Sequence, residues 1–583
     1  MTRRPGAIHV AKVVRKYQTK DGPRESVSHL LRRSFREDGK IKHETLGNVS
    51  ALPEAALEAL RASLAGQVLA PVGAGLRVVR SLPHGHVAAV WAQAKTLGLP
   101  GLLGPAGRQR DLAMALIVSR VVAPATKLAT LSWWADTTLG VDLDVADAGT
   151  DEVYAAMDWL VARQDAVEAR LAARHLAANV NPSRMALFDL SSSWVEGRHC
   201  PLAARGYSRD GKKGKAQIEY GLLTDPHGRP VAVRVFAGDT ADPAAFVQAV
   251  QVVRDRFGLA DLVMVGDRGM ITSARIDALT QHTELGWLTC LRAPAIAKLA
   301  AEDGPLQMTL FDQQDLAEIT HPDYPGERLI ACRNPLLAAE RTRKRDDLLA
   351  ATEALLAPVV AAVAAGKLHG AAAIGLKVGP LINKYKMAKH FQLAITDSGL
   401  TITRDTGHIA AEQALDGIYV LRTSVPADAL DAAGVVGAYK NLSYVERDFR
   451  HIKADDLALR PIHHRLTDRV KAHVLICMLA AYLVWHLRHT LAPLTYTDEQ
   501  PPTRDNPIAP ARRSATAARK ASRHHDDQDQ PVRSFRTLLT HLGTLTRNRI
   551  HITGTEFDQL TEPTPTQRHA FELLAAPIPI TLT

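Results

Sequence analysis

The feature that most constrains this chain is a run of short apolar segments between residues 184 and 291. Arg184–Leu190 (RMALFDL), Gln217–Thr224 (QIEYGLLT) and Pro230–Phe236 (PVAVRVF) read as strands, the last two separated by the turn Asp225-Pro226-His227-Gly228. Asp242–Phe257 has helical periodicity, Leu262–Val265 is a short strand, Thr272–Gln281 is helical, and Trp287–Leu291 is a strand again. The order β-β-β-α-β-α-β predicts a mixed sheet covered by helices, an α/β core.

At 583 residues the chain is too long for one ordinary domain. An apolar fraction of 46% with 23% charged residues suits a globular protein and excludes a wholly disordered or collagen-like chain. Weak alternation around a turn at Asp38-Gly39 predicts a small basic β-rich module over 1–50, which holds twelve Lys and Arg against five Asp and Glu. Residues 51–180 form an Ala/Leu-rich helical region, with helices expected over 53–65, 85–97, 109–121 and 151–178. The core's first part is 181–293. Residues 294–423 interrupt it with strand-like pieces and a helix near 338–364, and 424–491 supply its second part. Composition over 493–531 predicts a linker, so 492–583 reads as linker and tail.

A second basic cluster is Arg512, Arg513, Arg519, Lys520 and Arg523. Charge alone fits a polyanion partner or a solvated face equally. Cys200, Cys290, Cys332 and Cys477 have no paired spacing, which excludes a zinc ribbon or redox dithiol and fits a reducing compartment. The longest purely apolar run, Val474–Trp485, is too short to cross a bilayer, and no signal core follows Arg3 and Arg4. A cytoplasmic protein without membrane association is expected.

Three carboxylates stand out. Asp189 (LFDLSSSW) is placed near the end of the first strand, Asp267 (VMVGDRG) just after the fourth, and Glu446 (YVERDFRHIK) inside a long helix after Pro426. Metal-assisted phosphodiester chemistry needs carboxylates converging on ions about 3.5–4 Å apart. Strand ends place two such groups rigidly, and a packed helix can supply the third. Clustered anions also repel, so at least one should be harder to ionise without metal. On a regular helix Tyr439, Glu446 and Lys453 fall within roughly 40° of one another. Arg450 joins them, beside an apolar stripe of Leu442, Val445, Phe449 and Ile452. Arg209, Lys212, Lys213 and Lys215 sit among Gly206, Gly211 and Gly214 in a basic loop suited to gripping a DNA backbone.

The phrases YSRDGK, GDTAD, GDRG and YVERDFRHIK, taken together, resemble the DDE transposases of bacterial insertion sequences, in particular the insertion-sequence-four-type group. That group's helix signature is Tyr-x2-Arg-x3-Glu-x6-Lys. Tyr439, Glu446 and Lys453 match it, and Leu442 stands at the Arg position. The resemblance implies a ribonuclease-H-like core with a β-rich insertion between Asp267 and Glu446. It implies that Asp189, Asp267 and Glu446 bind two Mg²⁺ ions, with Mn²⁺ as a substitute. Tyr439 and Lys453 would hold a DNA phosphate, with Arg450 or Arg447 serving in place of the missing arginine. The implied partners are the element ends and target DNA, and the implied assembly is a homodimer. Two other readings share these residues: a ribonuclease-H-like endonuclease that cuts without joining, and a degraded, DNA-binding repressor. Asp210 reads as a turn residue, Asp242 as a first-turn acid of its helix, and Trp194 as a core residue.

Overall fold

The computed structural model describes residues 7–582 except 21, 38–39, 68–75, 177–184, 260–261, 274–275, 277–284, 302–303, 312–313, 501, 528 and 553–554. The predicted Asp38-Gly39 turn and most of the predicted 272–281 helix lie outside the described residues. The chain divides into two compact units, residues 1–82 with 547–561, and residues 83–546 with 562–583.

In the first unit, β1 (Ile8–Thr19), β2 (Gly22–Glu37) and β3 (Lys40–Asn48) form an antiparallel meander. Val14 pairs with Val27, and a bulge falls between Leu31 and Arg32. The strands carry charged side chains on both faces, so Val14, Tyr17, Val27 and Ile41 remain exposed. The helix Glu54–Leu64 buries only Leu57. β4 (Arg77–Pro83) pairs with a hairpin of Thr546–Ile552 and Thr555–Leu560.

The second unit is built on an eight-stranded mixed sheet. Its strands are β5 (Met185–Trp194), β6 (Gln217–Thr224), β7 (Pro230–Ala237), β8 (Val263–Gly266), β9 (Gly286–Cys290), β10 (Leu316–Ile319), β11 (Arg328–Arg333) and, after a separate hairpin of β12 (Phe391–Ile395) and β13 (Leu400–Arg404), β14 (Ile418–Thr423). The order is β10-β11-β14-β9-β8-β5-β6-β7. The central β5, β8 and β9 are parallel and every other pairing is antiparallel. The near-continuous apolar runs are explained by burial on both faces, since every residue of β6 is buried. At the β6–β7 turn, Asp225 Oδ1 accepts from the His227 and Arg229 N–H groups at 3.0 and 2.8 Å, and Gly228 adopts φ +81°.

Helices Gly85–Thr96, Arg108–Val122, Thr150–Val161 and Gln164–His175 precede the sheet. The single helix expected over 151–178 is thus broken at 162–163, and Asp242–Gln251 gives way to a wider turn over Val252–Arg256. Thr467–Thr490 is a buried central helix packed on β7 and on the two helices Arg108–Val122 and Thr150–Val161. This helix and Pro335–Ala364 are long and apolar enough to cross a membrane by length and composition. The apolar stretch of Thr467–Thr490 is 83% covered by the protein itself.

Residues 294–423 depart from a simple β-rich insertion. β10, β11 and β14 extend the main sheet, because Leu329, Ile330, Ala331 and Cys332 are all buried there. The helices Pro335–Ala364 and Ala371–Ile382 pack with β12 and β13 around a separate core of Leu349, Leu356, Ile374, Val378 and Phe391. The described residues of the linker expected over 493–531 include the helix Ala515–Arg523 capped by Ser514. Its polar composition hides an anchor. Lys520 is buried, and its ammonium donates to Ala492 O (2.7 Å), Thr497 O (3.0 Å) and Glu499 Oε1 (2.9 Å). The remaining tail forms the helices Phe535–Gly543 and Pro565–Leu573, which bury Leu538, Leu542 and Phe571.

Candidate active site

β5 and β8 run parallel with Phe188 opposite Gly266. Asp189 and Asp267 each follow that pair by one residue, Asp189 within β5 and Asp267 just past the end of β8. β5 continues to Trp194, so Asp189 is mid-strand rather than near a strand end. β8 stops at Gly266, and the chain turns at once, the Asp267 carbonyl accepting from the Met270 and Ile271 N–H groups at 3.0 and 3.2 Å. Asp189 Oδ1 accepts from the Leu190 N–H at 2.7 Å, and Asp267 Oδ1 from the Arg268 N–H at 2.7 Å. Burial pushes the Asp189 carboxyl up to about 7. The Leu190 N–H opposes this, and the charges of Asp267 and Glu446 add to it. Asp267 and Glu446 therefore lie near enough to Asp189 to act on its charge.

Glu446 arrives on a helix that is not continuous. Ala432–Lys440 breaks at Asn441, Leu442–Arg450 follows, and His451–Asp455 is a wider turn. Leu442, Val445, Phe449 and Ile452 are buried, with the Phe449 ring 5.7 Å from Tyr220 of β6. Tyr220 in turn bonds Ser193 of β5 at 3.0 Å. Glu446, Arg447 and Arg450 are exposed. Leu442, which replaces the signature arginine, is one of the packing residues. The Tyr439 hydroxyl donates to Asp267 Oδ1 at 3.5 Å, so this side chain reaches the second aspartate across the break.

Lys453 departs from the face expected on one regular helix. The break and the wide turn rotate it inward, and its buried ammonium donates to Asp210 Oδ1 at 2.9 Å. Arg460 donates to the same oxygen at 2.5 Å, while Asp210 Oδ2 is buried without a partner. Asp210 does lie in a turn, as expected, and its buried carboxylate serves there as the counter-ion of Lys453 and Arg460. Burial lowers the Lys453 pKa, and Asp210 opposes that shift.

Arg209 is also committed within the protein. Its guanidinium donates to Glu219 Oε1 (3.1 Å) and Asp242 Oδ1 (2.6 Å), and its backbone N–H donates to Ser192 Oγ on β5 (3.0 Å). Glu219 is pushed up to about 7 by burial despite Arg209. The signal for Glu219 was present in the sequence as a lone charge inside the apolar run QIEYGLLT. Lys212 is exposed, with its ammonium 5.3 Å from the centre of the Trp194 ring, and Arg460 lies 5.4 Å from the same ring. Trp194 is partly exposed between these cations rather than a core residue.

Among the described residues, no three His, Cys, Asp or Glu side chains stand close enough together to hold an ion as they are. The donor chemistry still fits a divalent cation. Asp189, Asp267 and Glu446 offer hard carboxylate oxygens, and burial makes the Asp189 carboxyl resist ionisation. Arg450, exposed on the Glu446 side of the helix, adds a donor suited to phosphate.

No curated protein sequence matches the chain. The family model described as the transposase DDE domain matches residues 191–483, half of the chain. The match takes in Asp267, Tyr439, Glu446 and Lys453 and begins two residues after Asp189. By this match the chain belongs to the transposase DDE domain family, enzymes that act on DNA in the transposition of mobile elements.

Proposed function

We propose that this transposase cuts and joins DNA at the ends of its own insertion sequence, as a member of the insertion-sequence-four-type group with a ribonuclease-H-like core. The bacterial cytoplasm is its setting, and a homodimer brings two element ends together. The observation that carries this reading is that Asp189 and Asp267 each follow the paired Phe188 and Gly266 by one residue, with the Asp189 carboxyl pushed up to about 7 by burial and by the charges of Asp267 and Glu446. Asp189, Asp267 and Glu446 would hold the metal, Mg²⁺ or Mn²⁺. Bound there, a pair of divalent ions supplies activation of the attacking oxygen and stabilisation of the leaving 3′ oxygen.

The chain's own groups do the positioning. Tyr439 orients Asp267 through its hydroxyl. Arg450, one turn on from Glu446 and exposed, meets the phosphate charge. Arg209 fixes the basic loop to β5, which leaves Lys212 free to contact the backbone of DNA. Lys453 is held ready by Asp210, and a DNA phosphate would compete for it.

A strand-transfer assay tests this reading, using a pre-cut end of the element with Mg²⁺ and with EDTA. Metal-dependent joining is expected. Asp189→Asn, Asp267→Asn and Glu446→Gln should each lower it by at least about 10²-fold, on the order of 3 kcal/mol of lost transition-state stabilisation. Cutting without joining would point instead to a nuclease, and end binding with neither reaction to a repressor.

A further inference from the structure

Behind the catalytic helix lies an open cavity of about 800 Å³, within the range of roughly 300–1,000 Å³ that small-molecule sites occupy. Tyr444, Arg447 and Asp448 line it from the helix Leu442–Arg450, on the side turned away from Glu446. Trp485 and Arg488 of the buried helix Thr467–Thr490 line the opposite wall, and Arg513 lies at its margin.

Two buried atoms in this wall have no hydrogen-bond partner. Asp448 is 8% exposed, yet its Oδ2 is unsatisfied, and so is the Nε of Arg488. An orphaned buried acceptor or donor is costly, and a ligand supplying the partner would recover that cost. The two orphans ask for different things. Arg488 Nε needs an acceptor, and the exposed guanidinium groups of Arg447 and Arg513 favour that acceptor being anionic. Asp448 needs a partner too, and burial pushes its carboxyl up to about 8, so it can both donate and accept, as the edge of a base does. Between them the wall is aromatic, with Tyr444 under Arg447 at 5.0 Å and Trp485 stacked on His489 at 5.0 Å. A bare anion would leave the rings in water.

We infer that this cavity binds a nucleoside phosphate, the phosphate on Arg488, Arg447 and Arg513 and an amino-bearing base edge on Asp448. The same helix carries Glu446 on its other side, so occupancy stiffens the element that presents the third carboxylate. The ligand is a free nucleotide or a nucleotide within a DNA strand, since both offer this chemistry.

Titration calorimetry and thermal melting of the full chain with deoxyadenosine 5′-monophosphate test the inference without any catalytic readout. Saturable binding at one site per chain is expected, with a raised melting temperature. Arg513→Ala, an exposed position, should weaken it about tenfold while leaving the melting of the free protein unchanged. Asp448→Asn should weaken deoxyadenosine monophosphate but not inorganic phosphate. Equal affinity for inorganic phosphate and the nucleotide would overturn the inference, as would an absence of saturable binding or binding indifferent to both substitutions. Competition by a 5′-phosphorylated trinucleotide assigns the site to a DNA strand, and failure to compete assigns it to the free nucleotide.

Discussion

Lys127 shows how much a single buried charge bears on this protein. It opens the helix Lys127–Ala135 yet is only 7% exposed, and its ammonium lies 3.2 Å from His473 Nδ1. Burial, with Arg120 adding repulsion, brings its pKa down to about 7. The unfolded chain, with a lysine near 10.5, binds more protons between pH 7 and pH 10.5, so stability must rise with pH across that window, fall progressively as pH drops from about 10.5, and level off below about 7. Lys127→Met removes the titration. Stability of the parent relative to this variant should therefore rise by on the order of 1–3 kcal/mol between pH 7 and pH 10. Urea melts at several pH values measure it, and parallel curves for the two proteins would show that Lys127 does not titrate in the folded state. No periodicity marks Lys127 as buried, because the apolar helices that enclose it come from distant parts of the sequence.

The element that presents Glu446 is held by its apolar stripe alone. Phe449 is 5% exposed against Tyr220, and truncating a buried phenylalanine costs about 3–5 kcal/mol. Phe449→Ala should lower global stability by that amount, whereas Glu446→Gln, three positions away and exposed, should leave it within about 0.5 kcal/mol. Denaturant unfolding separates the two, and equal losses would mean that the helix does not depend on the stripe. That stripe was legible in the sequence, as were β6 and the neighbouring strands, because period and burial agree there. Asp189 and Asp267 were legible for the same reason, each lying on or just beyond an apolar run. The break at Asn441 and the wide turn at His451–Asp455 were not, because neither contains proline or glycine to announce it. Lys453 consequently points to Asp210, a pairing between residues 243 apart in sequence that no local pattern encodes. The joining of β10, β11 and β14 to the main sheet is likewise long-range, and a stretch of strands and helices does not say which sheet it extends.

At the scale of the whole molecule the charge surplus of the first fifty residues finds a surface. Lys12, Arg15 and Lys16 are exposed on β1, within a meander whose faces are too polar to serve as core. Such a ribbon is stabilised poorly by burial and is well suited to a polyanion. Each lysine or arginine that neutralises a DNA phosphate releases counterions, which steepens the fall of log K with log salt by about 0.9 on duplex DNA. Replacing Lys12, Arg15 and Lys16 together with glutamine changes three exposed side chains and no buried contact, so the melting temperature should hold. If the meander grips the element end, the salt slope should flatten by about 1–3, and affinity at low salt should fall more than affinity at high salt. Filter binding or fluorescence anisotropy across a salt series reads this directly. An unchanged slope with unchanged affinity would take DNA recognition away from the meander and leave it to the basic loop around Lys212 and to the arginines beside Glu446.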